Sequence, residues 1–123
     1  MKICIAVAII SYLIGSISFS VIFTKKFAGF DVREKGSKNA GSTNVLRTAG
    51  KKIAIITLLC DILKGIVAIL LAKFIGEQYG HDNIAVLVQL AALFVAFGHT
   101  FPIFFRFKGG KGVATSLGVI LLL

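Results

Sequence analysis

Apolar and polar positions along the chain do not alternate as they do in a surface strand or a surface helix. They fall into long blocks. Residues 3–24 run for 22 positions without a charge, and a helix needs about 20 apolar residues to cross some 30 Å of hydrocarbon. Residues 53–72 form a second block and residues 84–105 a third. Residues 113–123 begin a fourth. Such blocks predict membrane helices. Within the first block, Ser11 and Gly15 are four apart, as are Ser16 and Ser20, and small residues at that spacing let helices approach closely. Asp61 and Lys64 interrupt the second block. They are three apart, so they share a helix face and can pair, either as a structural pair or as one wall of a polar site. The expected fold class is all-α: a multi-pass integral membrane helical bundle, one membrane domain over residues 1–123, with three full spans and part of a fourth. The fourth block is too short to cross a bilayer as a helix, so the chain is expected to be a fragment of a longer protein.

Composition sharpens this picture. The chain is 57% hydrophobic and 15% charged, with one Pro and no Trp, and its mean hydropathy is +0.94. Its formal net charge is nevertheless +9. Apolar bulk with concentrated positive charge is the signature of basic loops between spans. Nucleic-acid binding, the usual rival for a basic chain, is set aside because membrane-length blocks separate the basic residues. Lys2 precedes the first block as in a signal peptide. The uncharged run is too long for a signal core, however, and no small-residue cleavage site follows. Cys4 and Cys60 lie in apolar blocks outside any metal-ligand spacing, and read as reduced, buried, small apolar residues. No metal or cofactor is expected.

The loops set the orientation. Residues 25–52 (loop one) hold eight basic residues, residues 73–83 (loop two) one, and residues 106–112 (loop three) three. Basic loops lie on the cytoplasmic side. Loops one and three then face the cytoplasm together, with the N-terminus outside.

Both of these loops carry candidate chemistry. Loop one contains Gly36-Ser37-Lys38-Asn39-Ala40-Gly41-Ser42-Thr43-Asn44-Val45-Leu46-Arg47. Its glycines free backbone N–H groups for an anion, and Arg47 offers a planar fork suited to phosphate. A helix starting near Ser42 to Asn44 adds a favourable dipole. An ordinary capped loop explains the same residues. Loop three contains Lys108-Gly109-Gly110-Lys111-Gly112 ahead of a helix start. That suggests a phosphate cradle, although no Walker A spacing is present; a flexible basic turn is the plainer alternative. His99, at the end of the third block, reads either as an interior hydrogen-bonded residue or as part of a site. Phe104 stands five positions after it, so a His-x4-Asp acyltransferase arrangement is absent.

The 36–47 and 98–115 stretches resemble the first and second signature motifs of the bacterial membrane acyl-phosphate:glycerol-3-phosphate acyltransferase family (PlsY). Asp61-Ile62-Leu63-Lys64-Gly65 and the order of spans are similar too. The resemblance implies an enzyme of phospholipid synthesis. It would move an acyl group from acyl phosphate to the 1-hydroxyl of glycerol 3-phosphate, giving lysophosphatidic acid in the bacterial cytoplasmic (inner) membrane. It assigns catalytic roles to Ser37, Arg47 and Lys111 and, more weakly, to His99. Substrate-phosphate binding would fall to Lys108, Gly109, Gly110, Gly112, Asn39, Thr43 and Asn44. A monomer is expected, with the lipid bilayer as its surroundings. Lys38 and Ser42 depart from the Gly and Ala usual at those positions. The family's third motif, with a His, an Asn and a Glu, would lie beyond Leu123, so this chain by itself is expected to be inactive. Two other classes remain open on the residues alone: a small carrier for a phosphorylated solute, and a non-catalytic subunit whose basic loops bind anionic lipid.

Overall fold

In hydrocarbon a backbone has no water to bond with, so each apolar block must satisfy its own N–H and C=O groups as helix. The structure, a computed structural model, describes residues 1–110 and 113–122. Its longer helices are α1 (Lys2–Gly15), α2 (Phe19–Phe23), α3 (Ser42–Ala49), α4 (Lys51–Gln78), α5 (Ile84–Thr100) and α6 (Val113–Leu122). Among the described residues three helical stretches are long and apolar enough to cross a membrane: Lys2–Ala28, Lys51–Gln78 and Ile84–Phe105. Among the described residues there is no strand. The protein is an all-α membrane bundle.

The first apolar block is not one straight helix. α1 stops at Gly15, and α2 begins only at Phe19. A π-helical turn, Thr24–Ala28, follows and is closed by Gly29 at φ 79. The break frees carbonyls that lipid cannot satisfy. Lys64 on α4 reaches them, its Nζ donating to Gly15 O and Ile17 O at 3.0 Å each. The expected small-residue face packs as predicted: Ser11, Gly15, Ser16 and Ser20 are all buried. A Cβ on Gly98 of α5 would sit 2.9 Å from Ser16 N and 3.1 Å from Gly15 C. Only glycine lets these two backbones meet. Tyr12 Oη then donates to Phe101 O at 2.6 Å across the same seam.

Two cores result. The larger lies between the spans and comprises Val7, Ala68, Ile69, Ala72, Leu87, Val88, Ala91, Val95 and Val119. The smaller lies under loop one, where Val21, Val32, Ala40, Val45 and Ala54 meet, with Phe105, just ahead of loop three, packed against them. Outward-facing Ile9, Leu59, Leu63, Leu70, Leu93 and Ile120 stay half exposed or more, an apolar surface suited to lipid. The second core matters for function because it seats loop one beside loop three.

Candidate functional site

Loop one is built around one side chain. Asn44, in the first turn of α3, is almost wholly buried. Its Nδ2 donates to Val32 O at 2.9 Å, Lys35 O at 2.9 Å and Asn39 O at 3.0 Å. Its Oδ1 accepts from Ser37 N at 3.0 Å. The amide group thus gathers residues 32–39 into a fixed turn, with Ser37 held by its backbone and its side chain left at the surface. Gly36 has φ +59, and a Cβ there would overlap the Asn44 amide. Lys38 also has positive φ, at 64. A left-handed backbone favours glycine, the residue that the resemblance leads one to expect at this position. α3 does start at Ser42. Thr43 and Arg47 are exposed on it, and Asn39 is half-buried.

Loop three is built differently. After the 3-10 turn Ile103–Phe105, Arg106 and Phe107 take φ 59 and 62, and the chain doubles back on the end of α5. Gly109 N donates to Thr100 O at 3.1 Å and Gly110 N to His99 O at 3.3 Å. A Cβ on Gly109 would lie 2.8 Å from Pro102 Cδ, and one on Gly110 would lie 2.6 Å from His99 Nε2 and 2.9 Å from Ala40 O. This corrects the sequence-based picture of N–H groups turned to an anion. The N–H groups of Gly109 and Gly110 are engaged by α5, and these glycines serve close approach. Lys108 is exposed beside them. Lys111 and Gly112 lie outside the described residues.

Arg33 joins the two loops. Its Nε and Nη2 grip the Asp31 carboxylate at 2.6 to 3.1 Å. Its Nη1 donates to Phe105 O at 2.5 Å and to Lys108 O at 3.2 Å. The Arg33 hydrogen bond holds the Asp31 carboxyl below its usual 3.8, outweighing the upward push of burial. Sequence reasoning missed this clamp. Arg33 was one of eight basic residues in loop one, and nothing local marks it as the one that reaches loop three.

His99 stands behind both loops. It is 5% exposed, with Gly110 against its ring. Asp61 and Lys64 lie beside it: Lys64 Nζ is 3.5 Å from Asp61 Oδ1, and His99 Nδ1 is 4.0 Å from the same oxygen. The pairing expected from the spacing of Asp61 and Lys64 is present, with both side chains buried. Among the described residues no group of side chains has the make-up of a metal site.

Comparison with known proteins identifies relatives of this chain. The family model described as glycerol-3-phosphate acyltransferase matches residues 5–123. A glycerol-3-phosphate acyltransferase of Bartonella quintana (strain Toulouse) is 51% identical over 116 residues, covering 94% of this chain and 54% of that protein. One of Herminiimonas arsenicoxydans is 56% identical over 116 residues, covering 94% and 56%. Among solved structures, the chain is similar to the glycerol 3-phosphate form of PlsY (YgiH), an integral membrane glycerol 3-phosphate acyltransferase. The TM-score is 0.80 and the identity 42%, over 96% of this chain and 56% of that one. The lysophosphatidic acid form gives 0.76 and 40%, over 96% and 55%. The chain spans about half the length of the curated relatives it matches.

Proposed function

This chain belongs to the glycerol-3-phosphate acyltransferase family, and from that premise we propose that its protein transfers a fatty acyl group from acyl phosphate to the 1-hydroxyl of glycerol 3-phosphate. The products are lysophosphatidic acid and phosphate. The observation that carries the reading is the Arg33 clamp. By bonding to Phe105 O and Lys108 O it holds two cationic, glycine-bearing loops together at one end of a membrane bundle. A lipid-tailed donor and a water-soluble dianion have to meet at such an edge.

Acyl phosphate is already activated, so no covalent enzyme intermediate is needed. The 1-hydroxyl oxygen attacks the acyl carbon, the bond from that carbon to the phosphate oxygen breaks, and the proton leaves with the phosphate. Arg47, Lys108 and Lys111 hold phosphate oxygens, and Ser37 positions an oxygen of the substrate. Thr43 and Asn39 border the same turn. Asn44 and the two glycines 109 and 110 act by shaping the loops. Positioning and preorganised charge supply most of the rate. The protein works as a monomer in the bacterial cytoplasmic membrane, with its N-terminus outside and loops one and three on the cytoplasmic face, as the distribution of basic residues directs.

The test is an assay in detergent with acyl phosphate and glycerol 3-phosphate, read as lysophosphatidic acid. Product requiring both substrates supports the reading, and no product from the full-length protein removes it. A carrier for a phosphorylated solute needs a sealed vesicle to show activity, whereas this reaction does not.

A further inference from the structure

Among the described residues three buried side-chain atoms make no hydrogen bond, Thr57 Oγ1, Asp61 Oδ1 and His99 Nδ1, although the Lys64 ammonium lies 3.5 Å from Asp61 Oδ1. Thr57 and Asp61 are four apart on α4, so they share one face of the helix. His99 Nδ1 faces that side at 4.0 Å from Asp61 Oδ1. The three residues are at most 5% exposed, and an orphaned polar atom at such depth is costly. A carboxylate can only accept, and a neutral imidazole has one donor nitrogen and one acceptor nitrogen. A hydrogen bond between the ionised carboxylate and the neutral ring therefore carries its proton on Nδ1.

We propose that Asp61 is a positioning residue: it holds His99 as the neutral tautomer protonated at Nδ1, so that the ring presents Nε2 as an acceptor to the Gly110 side of loop three. The orientation of a functional histidine is commonly set by the partner of its other nitrogen. Lys64 fixes Asp61 in turn. Its ammonium donates to the carbonyls of Gly15 and Ile17 and stands 3.5 Å from Asp61 Oδ1 as its ion-pair partner, which ties the carboxylate to the break between α1 and α2. The ring then stands at the loop as an acceptor for an N–H or O–H group seated there, and adds no positive charge to it. This role deepens the acyl-transfer reading and rests on it for its kinetic consequence alone.

The tautomer can be read without any substrate. The protein is labelled with 15N-histidine and purified in detergent, and the ring nitrogens are observed by NMR at neutral pH. Residues 1–123 hold two histidines, His81 and His99, and the signal that disappears in His99→Gln is assigned to His99, whatever histidines the rest of the protein holds. The expected result is a protonated Nδ1 and an unprotonated Nε2 on His99. A proton on Nε2 alone, or on both nitrogens, overturns the proposal. In Asp61→Asn, whose amide can also donate, the preference for Nδ1–H is lost and kcat falls about tenfold, the scale on which such orienting partners act. Retention of the Nδ1–H form in that variant overturns Asp61 as its cause. Should the variant fail to fold, the wild-type spectrum still decides. A histidine with the expected tautomer in a protein that makes no lysophosphatidic acid removes the reaction and leaves the tautomer standing.

Discussion

Loop one and loop three are written in nearly the same letters, glycine and lysine beside an apolar helix, yet they are held by different means. Loop one hangs on a side chain: the Asn44 amide ties four backbone groups from Val32 to Asn39. Loop three hangs on the backbone of its neighbour: Gly109 and Gly110 bond to the last carbonyls of α5, with no room for a Cβ. Gly36 in loop one answers a positive φ as well as contact with Asn44, while glycines 109 and 110 in loop three answer contact alone. Composition alone cannot distinguish the two, because one depends on torsion and the other on what lies across the gap. The two loops should therefore fail differently when they are mutated.

The largest effect is expected at Asn44. Asn44→Asp removes the donor that three carbonyls share and sets a negative charge among them. With each unsatisfied buried group costing 1–3 kcal/mol, the total is about 4 kcal/mol. The measurement is thermal melting in detergent alongside lysophosphatidic acid formation, and both should drop sharply. A variant that melts like wild type would mean that loop one does not hang on this amide. Gly109→Ala comes next, at about 2 kcal/mol, typical of forced overpacking. Here the expected signature is lost activity with a smaller fall in melting temperature, since the strain is confined to the end of α5.

Arg33 tests the link between the loops. A lysine cannot grip Asp31 with two nitrogens while also reaching Phe105 O and Lys108 O. Arg33→Lys is expected to cost about 1 kcal/mol, in line with partly exposed pairs and bonds to charged groups, and to raise the KM for both substrates. The clamp also carries a pH signature. Because Arg33 holds the Asp31 carboxyl below its usual value of 3.8, the ionised pair stabilises the fold fully above the unfolded pKa of about 3.9. That contribution is lost as pH falls through the lower folded value. The gap in melting temperature between wild type and Asp31→Asn should stay constant from about pH 7 to about pH 5, and shrink only below about pH 4. A gap that already closes near neutral pH would show that the pair is not what joins the loops.

These contacts mark where sequence reading stops. The spans were legible because hydrocarbon demands long apolar helices, and the α1–α5 seam was legible because small residues repeat every four positions. The Asp61–Lys64 pair was legible from its spacing of three. The break at Ser16–Ser18 was not. No proline marks it, and it depends on Lys64 arriving from another helix to bond the freed carbonyls. Asn44 resembled a phosphate ligand because an amide in a Gly/Ser/Thr loop suits that role equally well. Its actual partners lie 5 to 12 residues back along the chain, a distance that no motif encodes. Arg33 was hidden for a related reason: charge counting treats eight basic residues alike, and only tertiary docking singles one out.

The smallest effect concerns Lys38, and it isolates the torsional half of the comparison. Lys38 is exposed at φ 64, a conformation that costs a residue with a Cβ about 1 kcal/mol. Lys38→Gly relieves that strain, but it also gives the unfolded chain more freedom, which offsets roughly half of the gain. The net stabilisation expected is about 0.5 kcal/mol, a rise of a few degrees in melting temperature at most. Lys38→Ala removes the same charge and keeps the Cβ, so it should melt like wild type. If the Gly and Ala variants rise together, the lysine charge was the burden and the backbone was not. If only the Gly variant rises, the turn around Ser37 is set by torsion, in contrast to loop three, where a Cβ is excluded by contact.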